Sequence, residues 1–227
     1  MTSPDPDRAR AAILAGVLAH APFDGWTWHT VEAAAKDAGY QPIMARRYFP
    51  RGMSAVIAYY AGEADRQMLD GLDSRGLGNL RIRDRIATLV RVRIEQDAPH
   101  RDAIRRLIGL QTTPQYAAAA APQIGRTVDL MWRAAGDTAT DFNWYTKRGL
   151  LAAVYSSTLL YWLDDSSHDY ADSWAFLDRR IENVMQIQKV RGRFDRAAAA
   201  LDAPFKRVLA RWGSRTRFRD RGGVSSA

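Results

Sequence analysis

At 227 residues the chain is long enough for one domain of ordinary size with a small appendage, and 47% hydrophobic residues suffice for a core, which excludes wholesale disorder. The absence of Cys excludes disulfides, thiolate nucleophiles and Cys-ligated zinc. The net charge of +8 is concentrated, because Lys189 to Arg221 carries eleven Lys/Arg against three Asp and the remainder balances to zero.

In chain order, RARAAILAGVLAH (8–20) sets Ile13, Val17 and His20 at helical spacing, with Leu14 and Leu18 alongside. TVEAAAKDAG predicts a second helix beginning at Thr30, with Glu32 in its first turn and Gly39 as its stop. Pro42 is placed to open a third, which RRYFPRG ends, and MSAVIAYYAGEADRQMLDGL starts a longer one. Three short helices before a long one form a helix-turn-helix head over 8–52. The spacing from Gly39 to Tyr48-Phe49-Pro50 resembles the head of TetR-type regulators.

Further helices are expected over 80–97, 101–110, 122–135, 141–163, 170–189 and 190–212, with DSRGLGN (73–79) and TTPQ (112–115) as loops. No strand-period alternation is sustained, so the fold class is all-α. The expected division is a head over 8–52, a helical ligand-binding body over 53–189, an amphipathic helix over 190–212 and a frayed tail over 213–227.

Catalytic patterns are absent. A di-iron carboxylate site needs Glu-x-x-His twice. Glu32, Glu63, Glu95 and Glu182 are followed three residues on by Ala35, Arg66, Ala98 and Met185. No GxGxxG, Walker loop, HExxH or GxSxG occurs. Asp164-Asp165 reads as a loop and helix start with solvated capping carboxylates. The expectation is a protein that is not an enzyme and carries neither cofactor nor metal.

The helix over 141–163 is ringed by aromatics. Asp141 is its N-cap candidate; one face collects Phe142, Tyr145, Gly149, Ala152, Ser156 and Leu159, another Trp144, Arg148, Leu151, Tyr155 and Trp162. Rings beside charge at a helix end are the usual composition of a protein-contact hot spot, which singles out Trp144 and Tyr145 beside Lys147 and Arg148. The small residues Gly149, Ala152, Ala153 and Ser156 would admit a close neighbour, either a subunit or a lipid chain.

The strings MWRAAGDTATDFNWYTKRGLLAAVY and DDSSHDYADSWAFLDRRIENVM resemble the signature of the Coq-nine family, lipid-binding accessory proteins of ubiquinone biosynthesis. The close match covers about residues 128–185, with weaker agreement back to residue 8. The resemblance implies a TetR-like all-α homodimer that binds an isoprenoid quinone precursor or a phospholipid in its cavity. It implies presentation of the precursor to a di-iron hydroxylase of the Coq-seven type, membrane attachment through a C-terminal amphipathic helix, and no nucleic-acid partner. It places the partner contact on Met131, Asp141, Trp144 and Tyr145, with Arg148 beside them, and leads us to expect Tyr155, Leu159 and Trp162 in the lipid-cavity lining.

In the basic tail, Val190, Phe194, Ala197, Leu201, Phe205, Val208 and Trp212 make a continuous apolar stripe, with most of the arginines off it. Such a stripe flanked by cations suits a helix lying in a membrane interface, so Phe194, Leu201, Phe205, Val208 and Trp212 are the membrane-binding candidates. No run approaches the ~20 apolar residues of a span, and MTSPDPDRAR lacks the apolar core of a signal peptide. The expected location is the bacterial cytoplasm, attached peripherally to the inner membrane. The alternative is a TetR-type DNA-binding repressor with a small-molecule effector. Against it, residues 1–60 hold six basic and five acidic side chains, little charge for displacing counterions from DNA.

Overall fold

The computed structural model describes residues 5–73, 80–137, 142–184 and 186, and among these every regular element is helical. Its chain divides into one unit, Met1–Ile181, and a second, Glu182–Ala227; the cavity and the surface patch that matter for function both lie in the first.

Helix α1 (Pro6–Asp24) starts where Asp5 accepts the backbone N–H of Asp7 at 3.1 Å and Pro6 fills the first turn, whose N–H groups have no helical partner in any case. Its buried stripe is Ala9, Ile13, Leu14, Val17 and Ala21. Helix α2 (Trp28–Asp37) is capped by Thr27, three residues before the expected start. Thr27 accepts the N–H of Thr30 at 3.2 Å, while the Thr30 hydroxyl, fully buried, donates to the Gly25 carbonyl at 2.8 Å. The predicted stop is a Schellman turn: Gly39 sits at φ 81°, its N–H bonds Lys36 and the N–H of Tyr40 bonds Ala35.

The third helical piece is shorter than its proline suggests. A 3-10 turn, Pro42–Met44, leads into α3 (Ala45–Tyr48), whose Arg46 guanidinium lies 5.1 Å from the centre of the Trp28 ring. α1 and α2 pack so closely that a Cβ added to Gly16 would stand 2.8 Å from the Ala34 Cβ and 3.1 Å from its Cα. The head is joined to the body by Trp26, whose indole N–H donates to the Ala103 carbonyl at 2.8 Å and whose ring meets Tyr60 edge-on.

The body contains α4 (Met53–Asp73), α5 (Ile82–Glu95), α6 (Arg101–Gln111), α7 (Pro114–Ala134), α8 (Phe142–Asp164) and a last helix, α9, over 171–184. α7 corrects the sequence reading at both Thr113 and Pro122. Pro114 occupies its first turn, so the helix begins eight residues before 122, and Pro122 lies inside it. A proline there removes the bond to residue 118. The alanine-rich run around it, from Ala117 to Ala121, has the highest helix propensity available, and residues 117–119 are exposed to water.

The C-terminal end of α8 is fastened from outside. Arg101 Nη2 donates to the carbonyls of Trp162, Leu163 and Asp165 at 2.6–2.8 Å, and Arg105 reaches the Leu163 carbonyl as well, so the carbonyls at the helix end are satisfied by side chains. Asp165 is a capping carboxylate as expected, but not a solvated one. It is buried, accepting the Ser167 N–H at 2.8 Å and the Ser173 N–H and hydroxyl at 2.8 and 2.5 Å. Between α8 and α9, Asp169 and Tyr170 both take positive φ, of 50° and 57°. The Trp174 indole donates to the Asp169 carbonyl at 2.9 Å and holds that turn in place.

The Gly16→Ala protein should be less stable to urea than wild type, by about 1–2 kcal/mol. Overpacking costs ~1–3 kcal/mol and the gain in helix propensity offsets up to ~1 kcal/mol of it. Burial alone would raise the Asp165 pKa, but the hydrogen bonds from Ser167 and Ser173 outweigh it and hold the carboxyl at about 2, below its ordinary 3.8. A depressed folded-state pKa contributes stability above the unfolded value, which is lost as pH falls through the folded one. The stability gap between wild type and Asp165→Asn should therefore be full above pH 3.8 and close as pH drops toward about 2, followed by thermal melts across that range.

Candidate functional site

A cavity of about 230 Å³ lies between α4, α5, α6, α7 and α8. Its wall is mostly aliphatic, with Ile57, Ala61, Ile104, Leu107, Ile108, Ile124 and Leu159 among the lining residues. Leu160 and Thr112 line it and are exposed, which marks its mouth. Two of the expected lining residues, Tyr155 and Leu159, are in this wall. Trp162 is not. It is fully buried elsewhere, with the Arg101 guanidinium 5.4 Å from its ring and Tyr170 meeting it edge-on, because its place on the helix turns it toward α6 and the α8–α9 turn.

One end of the cavity is polar. Arg93 and Asp97 are joined by a 2.6 Å bond from Nη1 to Oδ2, and both are buried. Asp65 accepts from Thr127 Oγ1 at 2.7 Å and Arg126 Nε at 3.2 Å, and lies 3.7 Å from Arg93 Nε. Tyr60 and Tyr155 complete the lining there. Burial pushes both phenols up, Tyr60 well above the ordinary phenol range with the Asp97 charge adding to it, so both are protonated near neutrality. Burial opposes the Arg93 charge, but the Asp97 carboxylate, through its charge and a hydrogen bond, holds it protonated.

Sequence reading passed over this cluster. A signal was present: Ile86, Leu89, Val90 and Arg93 share one α5 face, and Asp97, four residues after Arg93 and just past the helix end, continues that stripe with an opposite charge.

The expected partner patch is assembled in part. Tyr145 is 71% exposed and meets Trp144 edge-on with centroids 4.7 Å apart. Arg148 lies 3.9 Å from the Trp144 ring centre and is itself buried, its Nε donating to Asp129 Oδ1 at 2.6 Å. Lys147 bonds Asp137 at 2.7 Å, and the Trp132 indole N–H donates to the Lys147 carbonyl at 3.2 Å. Met131 is fully buried, so its side chain offers no surface to a partner. Asp141 lies outside the described residues, as do Phe194, Leu201, Phe205, Val208 and Trp212.

The small residues of α8 do face a space. An open groove of about 420 Å³ runs between α7 and α8, lined by Gly125, Gly149, Ala152, Ala153 and Ser156, with Arg148 at its edge. Among the described residues no helix is long and apolar enough to cross a membrane, and no group of His, Asp and Glu is arranged to hold a metal ion.

Comparison with known proteins agrees with the motif. The COQ9 family model matches residues 117–188. The chain is 33% identical over 186 residues to the ubiquinone biosynthesis protein COQ9, mitochondrial, of Drosophila melanogaster, covering 80% of this chain and 57% of that protein. Against the same-named protein of Rattus norvegicus it is 30% identical, covering 77% and 58%, and against that of Homo sapiens 29% identical, covering 77% and 57%. The chain thus spans less than two thirds of these relatives, and resembles the COQ9 family over most of its own length. A crystal structure of a TetR transcriptional regulator from Nitrosomonas europaea superposes with a TM-score of 0.65 at 22% identity, covering 80% of this chain and 99% of that one. The all-α fold is TetR-regulator-like.

Proposed function

We propose that this protein acts in ubiquinone biosynthesis as a non-catalytic accessory protein that binds an isoprenoid quinone precursor or a phospholipid and presents the precursor to a di-iron hydroxylase at the membrane. The observation that carries this reading is the aliphatic-walled cavity of about 230 Å³ against α8, in a chain similar to proteins named for ubiquinone biosynthesis. Each methylene moved from water into such a wall contributes ~0.8 kcal/mol, so a short stretch of isoprenoid is enough to hold the ligand.

The hydroxylase is read as docking on the exposed start of α8, where Tyr145 is exposed beside Trp144, which is backed by Arg148 and Asp129. An aromatic pair stiffened by a buried ion pair loses little side-chain freedom on contact, which is what an interface anchor requires. Attachment to the inner-membrane surface is assigned to the stripe of Phe194, Leu201, Phe205, Val208 and Trp212 with its flanking arginines. Action as a homodimer belongs to the same reading. The relatives are mitochondrial by name, and a peripheral place on a bacterial inner membrane is the corresponding proposal here.

Lipid extracted from the purified protein and identified by mass spectrometry should contain an isoprenoid or a phospholipid in near-stoichiometric amount. A protein that carries no lipid and displaces no fluorescent fatty-acid probe would overturn the reading. The Tyr145→Ala protein should keep its melting behaviour within ~0.5 kcal/mol of wild type, since surface changes away from special features fall in that range. In a pull-down with the hydroxylase it should lose at least about tenfold in affinity, as interface anchors do.

A further inference from the structure

Three helix ends meet beside the aromatic patch. Arg85, near the start of α5, donates from Nε to the Leu80 carbonyl at 2.8 Å and from Nη1 to the Ala135 carbonyl at 3.1 Å, which ties the start of α5 to the end of α7. Two residues on, Asp137 bonds Lys147 near the start of α8 at 2.7 Å. Leu80 and Ile82 are 39% and 52% exposed at this end, and Tyr145 is the exposed ring on the α8 side. α5 begins on Arg81, whose side chain caps no backbone N–H, in a position where Ser, Thr, Asp or Asn would stabilise the helix. Residues 80–85, 129–137 and 142–148 carry six Lys/Arg against three Asp, an excess of +3, although residues 1–188 as a whole balance to zero.

We propose that the start of α5, with Leu80, Arg81 and Ile82, belongs to the same docking surface as Tyr145, and that the protein it meets presents an acidic face with an aliphatic hollow. This rests on the docking reading of the α8 patch and adds to it the extent of the contact and the charge of its counterpart. Both α5 and α8 pack on α7. Neighbouring helix axes lie ~8–10 Å apart, so α5 and α8 are at most about 20 Å from one another there. A standard interface of ~800 Å² per partner is about 30 Å across, enough to cover both. The rings on this surface are held in place. Arg148 lies 3.9 Å from the Trp144 ring centre and is bonded to Asp129, and Lys147 lies 5.5 Å from the Trp132 ring centre and is bonded to Asp137. Side chains fixed in advance suit a counterpart of fixed geometry, whereas a fluid lipid surface gains nothing from them. Arg81 and Arg133, with side chains 82% and 68% exposed, stand at the rim, where charge governs approach and salt dependence.

The test uses the full chain. Affinity for the hydroxylase is measured by biolayer interferometry, and sedimentation with vesicles of phosphatidylcholine and phosphatidylglycerol is measured in parallel. Ile82→Asp should weaken hydroxylase binding at least about tenfold. Arg81→Glu should weaken it at least about fivefold at ~50 mM salt, and the deficit should shrink at ~300 mM as the charges are screened. Both variants should bind vesicles as wild type does, with thermal melts reporting that they are folded. Arg81 is exposed, so its reversal decides the matter even if Ile82→Asp melts early. Hydroxylase binding within about twofold of wild type for both variants, while Tyr145→Ala weakens it, overturns the extension to α5 and leaves the α8 patch standing. Loss of vesicle binding with hydroxylase binding intact also overturns it, and makes this end a lipid contact. A wild-type chain that does not bind the hydroxylase at all overturns the docking reading itself, a result distinct from either.

Discussion

The body of this protein is organised around one buried ion network. Asp65 on α4 bonds Arg126 and Thr127 of α7 at 3.2 and 2.7 Å, and the pair of Arg93 on α5 with Asp97 just past its end, joined at 2.6 Å, stands 3.7 Å from it as an ion pair. Taking such charges out of water is costly, and in this position only mutual neutralisation with close geometry makes them tolerable. The network ties three helices at a depth where aliphatic side chains could have packed without direction. Its consequence is a cavity that cannot be filled evenly. One end must stay polar, and Tyr60 and Tyr155 are the side chains that bridge from charge to hydrocarbon.

α8 has a second constraint, set at its ends. At its C-terminal end, Arg101 and Arg105 bind carbonyls of the last turn, and Asp165 passes the chain into α9 through hydrogen bonds to Ser173. Near its start, the Arg148–Asp129 pair clamps it to α7. A helix held at both ends keeps Tyr155 and Leu159 at fixed depth against the cavity while Tyr145 remains in solvent.

Much of the fold was legible because it depends on local chemistry. The Gly39 stop, the start of α4 at Met53 and the turn of helix out of Asp164 follow from cap residues and 3.6-residue spacing, which act over a few residues. α7 was misplaced because Pro122 reads locally as a boundary. The alanine run and the packing of α7 on α4 and α8 override it, and neither is visible in the proline itself. The site divides the same way. Tyr155 and Leu159, four residues apart on α8, both stand in the cavity wall. Trp162 shares a predicted face with Tyr155, yet its position on α8 turns it toward Arg101. Met131 belongs to the motif and is nonetheless core, since a conspicuous string does not separate side chains that touch a neighbour from those that hold the shape. Arg93 and Asp97 carry a local signal as an i, i+4 pair, but Asp65, the carboxylate of α4 near them, is brought there only by the fold.

The cavity and the aromatic patch are separate in space but not in support. From Tyr145 to Leu160 along α8 is roughly 22 Å at ~1.5 Å per residue, so the mouth does not open onto the patch. Both are nevertheless built on one turn of α7. Thr127 bonds Asp65 at the polar end of the cavity, Asp129 holds Arg148 under the patch, and Met131 between the helices is fully buried. Residues 127, 129 and 131 cannot all point the same way on a helix, so this turn serves the two sites from different sides. A close-packed interior transmits displacement because it has no slack to absorb it. That makes the turn at 127–131, more than the rings that first draw attention, the part of the chain on which the geometry of both sites depends.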